Sequence, residues 1–192
     1  MNLVHRWLCR SAYWRLALER KVLPWVLDGI RLGDSVLELG PGPGLTTDLL
    51  RTRTASVTAL EIDPRMARLL AQRLNHLNVR VVEGDASRMP FDDGSFSAVV
   101  AMTMLHHVPA AALQDRLLAE AYRVLRPGGA FVGTDNTWNW AFGLLHIGDT
   151  LVPVDPETFG ARLNAVGFTH AQVDRVTGRF RFQVRKPEST AA

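Results

Sequence analysis

Several things are scarce in this chain, and each scarcity excludes a class of protein. There is one cysteine, Cys9, in 192 residues. A lone thiol forms no internal disulfide and builds no cysteine-rich metal centre, so a reducing compartment and a cytoplasmic location are expected. Cys9 reads as a small packing residue rather than a nucleophile. No run of apolar residues approaches the ~18 needed to span a bilayer. The start, MNLVHRWL, has no long hydrophobic stretch followed by a small-residue cleavage site, and no signal peptide is expected. Internal repeats and low-complexity stretches are absent. Charge of one sign is barely in excess: 22 basic residues against 19 acidic ones give +3. The pI of about 9.6 therefore reflects a small surplus, mostly arginine, with acids interspersed through the middle of the chain. That is a poor footprint for nucleic acid.

What is present is globular. The composition is 47% apolar and 21% charged, with a mean hydropathy of +0.01, and the length suits one compact unit with its own core. Residues 1–32 read as an N-terminal helical cap, with helical spacing over 3–30 and a break near Pro24; residues 33–192 read as the main domain. Strands are expected at 35–39, 56–62, 78–83, 96–103, 130–133, 169–176 and 179–184. Helices are expected at 46–52, 64–74, 110–125 and 156–166. Asp63 and Pro64 form a helix start, since an aspartate caps free amides and proline suits the first turn. Alternating strands and helices predict an α/β fold with a mostly parallel sheet. The last two strands, separated by Thr177-Gly178, are too close for a crossover and must pair as an antiparallel hairpin.

The segment VLELGPGPG (36–44) carries the most information. An apolar strand runs into a turn in which Gly40, Gly42 and Gly44 let the backbone bend sharply and pass close to a ligand. A helical pattern follows. Glu61 ends the next apolar run, where its carboxylate can accept from both hydroxyls of an adenosine ribose. No lysine stands in or just after the glycine turn, which argues against a nucleoside triphosphate. Glu38 is an acid inside an apolar strand; it needs a partner or a raised pKa, and a ligand ammonium or its own loop could supply the partner. Asp85 follows the third strand, where it could accept from an adenine amine while the Ala86 amide donates to the ring. Three carboxylates around one pocket oppose a diphosphate and suit a cofactor carrying a sulfonium and an ammonium.

These motifs, in this order, resemble the class I S-adenosylmethionine-dependent methyltransferases, in the group that includes the ubiquinone/menaquinone-biosynthesis type. The resemblance covers about residues 33–185. It implies a Rossmann-like seven-stranded, mostly parallel sheet with helices on both faces and a C-terminal antiparallel hairpin. It implies S-adenosyl-L-methionine as cofactor, with Glu38 and Gly40 bordering the methionine part, Gly42 shaping the loop and Gly44 among the cofactor-binding residues. Glu61 matches the ribose-binding acid, Ile62 the residue packing on adenine, and Asp85 the adenine-amine contact, with Ala86 and Met89 beside it. FDDGSFSAVVAMTMLHHV (91–108) matches the fourth strand and the loop facing the methyl group, and RVLRPGGAFV (123–132) the turn into strand five.

After strand four the chain reads Thr103-Met104-Leu105-His106-His107, without the Asn/Asp-Pro-Pro-Tyr/Phe that holds a base amine in many DNA amino-methyltransferases. No cysteine is there for cytosine C5 chemistry. The acceptor is expected to be small or lipophilic, methylated at oxygen or carbon. His106 and His107 are the candidate general bases, because imidazole titrates near neutrality; the resemblance favours His106 nearer the methyl. No metal site is expected: His106, His107, His146 and Asp149 lack the His-x-x-x-His helical spacing of a metal pair. Trp7, Tyr13, Trp14 and Trp25, with Trp138, Trp140 and Phe142, are expected to form an apolar lid or to anchor the cap. Arg175, Arg179, Arg181, Arg185 and Lys186 give a basic edge that fits the solvent face of a hairpin as well as RNA. The alternatives are a cofactor-binding protein without turnover and an NAD-linked oxidoreductase; the latter leaves Asp85 unexplained. Oligomeric state is open.

Overall fold

The computed structural model describes residues 12–189. Trp7 and Cys9 lie outside them. The chain enters through helix α1 (Ala12–Ala17), widens into a π-helical turn (Leu18–Val22) and continues as α2 (Leu23–Val26). Pro24 does not break this path. It occupies the first turn of α2, directly after the π turn, so the helical path continues through it without an amide bond from this residue.

Seven strands follow: β1 (Ser35–Leu39), β2 (Ser56–Glu61), β3 (Val79–Glu83), β4 (Phe96–Met102), β5 (Leu125–Asn136), β6 (Thr169–Val176) and β7 (Arg179–Arg185). They form one sheet in the order β3-β2-β1-β4-β5-β7-β6. The first five pair in parallel. β7 pairs antiparallel with both β5 and β6. The helices between strands are α3 (Leu45–Leu50), α4 (Pro64–Arg73), α5 (Ala111–Val124), α6 (Trp140–Leu145) and α7 (Pro156–Val166). This is the Rossmann-like sheet with a terminal hairpin that the sequence predicts.

Side chains alternate across the sheet, and each face has its own helices. Val36, Ala98, Val100 and Val132 pack with Leu18, Leu23 and Val26 of the entering helices and Leu50 of α3. Leu37, Leu39, Val99, Ala101 and Phe131 pack with Leu117 and Leu118 of α5 and with Phe159 and Leu163 of α7. Ala59 meets Leu70 and Leu74 at the α4 side. The entering helices are tied to the hairpin: Gln183 donates to the carbonyls of Val26 and Asp28, both at 2.9 Å. Arg181 donates to the Trp25 carbonyl and lies 5.4 Å over the Trp25 ring.

Asp63 caps α4 as expected, accepting from the Arg65 and Met66 amides at 2.8 and 3.1 Å. Two features differ from the sequence reading. β5 extends well beyond 130–133, because pairing from Ala130↔Arg185 to Asn136↔Arg179 draws three polar residues into the sheet. Helix α6 was not expected. Its signal is local: Asn139 accepts from the Phe142 amide at 2.9 Å and caps the apolar run WAFGLL.

Candidate active site

The strand order reverses at β1, between β2 and β4, and such a switch point opens a crevice at the carboxyl ends of the strands. A cavity of about 450 Å³ lies there. Its walls come from four strand ends: Gly40–Pro43 after β1, Leu60–Asp63 from β2, Gly84–Ser87 after β3 and Met102–Met104 from β4. Trp14 and Leu18 reach it from the entering helices, and His107, Val108, Leu113, Asp149 and Thr150 close the far side.

Glu61 is the centre of this arrangement. Its Oε2 accepts the Gly42 amide and its Oε1 the Asp63 amide, each at 3.0 Å. The two bonds aim the carboxylate and fix the glycine loop, while each oxygen keeps a second lone pair for a ligand hydroxyl. Gly40 and Gly42 both have positive φ, 62° and 55°. A Cβ at Gly40 would lie 3.0 Å from that of Met104, so the loop runs close under the β4 exit. Asp85 accepts the Ser87 amide at 2.7 Å; that turn presents its carboxylate on the cavity wall beside Ala86. Ile62 is exposed and lines the same end.

Glu38 sits beneath the floor, not on it. Its side chain points to the α3 face, is almost fully buried and accepts from the Thr47 hydroxyl at 2.6 Å. Burial pushes its carboxyl up to about 8, against the bond from Thr47. The carboxyl is therefore neutral at pH 7, and its partner is its own loop helix. Gly44 also lies off the cavity wall; its φ of 83° starts α3.

The two adjacent histidines separate cleanly. His106 is fully buried. Its Nδ1 lies 2.5 Å from Asp135 Oδ1, and its backbone amide donates to Asp135 Oδ2 at 3.1 Å. His107 lines the cavity, with Nδ1 3.2 Å from the Thr150 carbonyl oxygen. The His146 ring stands within 5.0 Å of the His106 ring and 5.4 Å of the His107 ring, centroid to centroid.

The chain matches a family model described as a methyltransferase domain over residues 37–133, half of its length. The chain belongs to the class I S-adenosylmethionine-dependent methyltransferase family. It is similar to a demethylmenaquinone methyltransferase of Tropheryma whipplei, 35% identical over 134 residues, 68% of this chain and 51% of the relative. It is similar also to a fatty-acid O-methyltransferase of Mycolicibacterium smegmatis, 39% identical over 105 residues, 54% of this chain and 37% of the relative. The chain thus spans about half the length, or less, of these relatives. Its fold is shared with Haemonchus contortus phosphoethanolamine N-methyltransferase 2, solved with S-adenosylmethionine (TM-score 0.75, 16% identity, covering 93% of this chain and 53% of that one).

Within this methyltransferase fold, the structure gathers Gly40, Gly42, Glu61, Ile62, Asp85, Ala86 and His107 around one cavity. Four expectations change. Met89 is a core residue, 4% exposed, and its amide donates to Glu120 Oε2 at 2.6 Å. Glu38 and Gly44 shape the floor from behind it. His106 is turned away from the cavity by Asp135, so His107 is the histidine that borders it. Of the aromatic lid, Trp14 remains at the cavity, whereas Trp138 and Trp140 are exposed outside it and Trp25 packs on the core.

Sequence reasoning placed Met104 and Val108 in the stretch facing the methyl group without giving either a role, and passed over Leu113; all three are apolar wall residues whose spacing is that of any core segment. It also passed over Asp135, whose role depends on a partner in another loop. The basic edge is occupied by intramolecular partners: Arg175 pairs with Glu157, Arg181 with Asp174, and Lys186 donates to the carbonyls of Tyr122 and Leu125. Among the described residues, no helix is long and apolar enough to cross a membrane.

Proposed function

We propose that this chain transfers a methyl group from S-adenosylmethionine to an oxygen or carbon of a small lipophilic acceptor. One observation carries the reading: the cavity wall holds four carboxylates, Glu61, Asp63, Asp85 and Asp149, and, among the described residues, no lysine or arginine. Such a wall repels the phosphates of NAD or a nucleoside triphosphate. It favours a ligand with a sulfonium and an ammonium and no phosphate. Glu61 and Asp85, spaced along consecutive strand ends, suit the ribose hydroxyls and the adenine amine, and Ile62 supplies an apolar face for the ring.

When bound, S-adenosylmethionine supplies an already activated methyl group. The protein's part is to hold the acceptor in line and keep water away. Trp14, Leu18, Met102, Met104, Val108 and Leu113 give the cavity apolar walls for that purpose. His107, on the same wall, is placed to take a proton from an acceptor hydroxyl. The menaquinone and fatty-acid relatives support an acceptor of this greasy kind.

Calorimetry with S-adenosylhomocysteine and NAD, followed by transfer of labelled methyl to quinol, phenol and fatty-acid acceptors, tests the proposal. Heat with S-adenosylhomocysteine, none with NAD, and label in one lipophilic acceptor are expected. Binding of NAD in preference, or tight S-adenosylhomocysteine binding with no label in any acceptor, overturns it.

A further inference from the structure

Behind the far wall of the cavity, three histidines meet. His106 and His107 come from the turn after β4, and His146 from the end of α6. One ring nitrogen of each lies within 4.8 Å of the corresponding atoms of the other two. His106 and His146 are buried, and His107 is half-buried and faces the cavity.

The hydrogen bonds fix what these rings offer one another. His106 Nδ1 is 2.5 Å from an Asp135 carboxylate oxygen. His146 Nδ1 is 2.7 Å from the Phe142 carbonyl oxygen. His107 Nδ1 is 3.2 Å from the Thr150 carbonyl oxygen. All three partners only accept, so a neutral ring at each position carries its proton on Nδ1, and Nε2 is the atom with which each imidazole would ligate an ion. His106 Nε2 is buried with no hydrogen-bond partner among the described residues. An imidazole whose second nitrogen donates to a carboxylate or carbonyl is the arrangement found around protein-bound zinc.

We propose that His106, His107 and His146 form a site for a divalent cation of the zinc type, with Asp135 as the residue that orients His106. Three imidazoles suit zinc in both ligand class and number, and a three-ligand zinc site keeps a fourth position open. A tetrahedral ion with bonds of about 2.0 Å draws the three nitrogens to about 3.3 Å of one another; small rotations of the rings bring that about. Asp149 lies on the cavity wall with His107. Sequence spacing hid this site because no two of its histidines sit one turn apart on a helix.

The open position lies on the His107 side, toward the cavity. Its role rests on the methyl-transfer reading: with the ion bound, His107 serves as a ligand and not as the base, and the ion holds the acceptor's hydroxyl oxygen and lowers its pKa. The proton leaves to solvent, the oxygen bonds the methyl carbon as the carbon–sulfur bond breaks, and neutral S-adenosylhomocysteine departs. The ion keeps its oxidation state.

The test is titration of chelator-stripped full chain with zinc chloride by calorimetry and with cobalt chloride by visible absorption. The expected result is one ion per chain and an intense four-coordinate cobalt spectrum. H107A, at a half-buried position that tolerates change, should weaken the metal at least tenfold, and H146A at least a hundredfold. D135N should weaken it ten- to a hundredfold. S-adenosylhomocysteine affinity of H146A, whose side chain is off the cavity wall, should stay within threefold of wild type and reports a folded domain. Less than a tenth of an ion per chain in wild type that still binds S-adenosylhomocysteine overturns the site. Retention of the metal by an H106A/H146A double variant does the same. Stoichiometric metal whose removal leaves turnover unchanged overturns the acceptor role. Absence of S-adenosylhomocysteine binding with metal uptake intact strikes the methyl-transfer reading instead.

Discussion

Glu61 Oε2 lies 3.0 Å from the Gly42 amide nitrogen, so the last residue of β2 holds the loop that leaves β1. One carboxylate thereby sets both the shape of the glycine loop and an acceptor on the cavity wall. E61Q turns one of its acceptors into a donor aimed at an amide. We expect S-adenosylhomocysteine to bind ten- to a hundredfold more weakly, roughly 1.4–2.8 kcal/mol, with the melting temperature lowered by a few degrees. Calorimetry beside a thermal melt separates the two effects.

Glu38 should make the fold sensitive to alkali. Its carboxyl stays protonated in the folded chain up to about pH 8, while the unfolded chain ionises near 4.5. Unfolding therefore releases a proton between these values, and stability falls as pH rises. The contribution is full below pH 4.5 and lost by about pH 8, at up to about 1 kcal/mol per pH unit. E38Q keeps an acceptor for Thr47 and cannot ionise. Urea midpoints across this window should slope downward in wild type and less steeply in E38Q; parallel curves contradict the assignment.

Gly133 tests the register of the sheet. It pairs with Ala101 across β4 and β5. A Cβ there would sit 2.1 Å from the Ala101 carbonyl oxygen and 2.7 Å from the Phe182 ring. Backbone on one side and a packed aromatic on the other leave nowhere to move. G133A should cost about 3 kcal/mol in a urea titration, whereas G143A, which meets nothing within 4 Å, should be near neutral in sterics.

Trp14 should report on the cavity it lines. Ligand binding is expected to change tryptophan emission in wild type and in a W138F/W140F variant, and not in W14F. Loss of the change in the double variant instead would place the acceptor near α6.

The glycine loop, Glu61 and the Asp63 cap were legible because their meaning is local. A glycine at positive φ, an acid at a strand end and an aspartate before a proline each say what the next few residues must do. His106 and His107 were not separable on those grounds. Adjacent residues in one short turn face different ways, and Asp135, on the neighbouring strand, decides which is buried. Met89 failed for the same reason: its place in a family motif says which strand end it follows, not that Glu120 holds its amide down into the core. Trp138 and Trp140 misled because aromatic clusters mark cavities and outer surfaces alike, and these two, just before and at the start of the short helix α6, are exposed.

β7 follows β6 along the chain but lies between β5 and β6 in the sheet. A chain emerging from the ribosome therefore cannot add its strands one after another at a growing edge. β6 is made while its neighbour β7 does not yet exist, and the open side of β5 waits until the hairpin has folded back on itself. A polypeptide stalled before Arg179 presents the open side of β5 and an unpaired β6 at once, the kind of surface on which nascent chains aggregate or recruit chaperones.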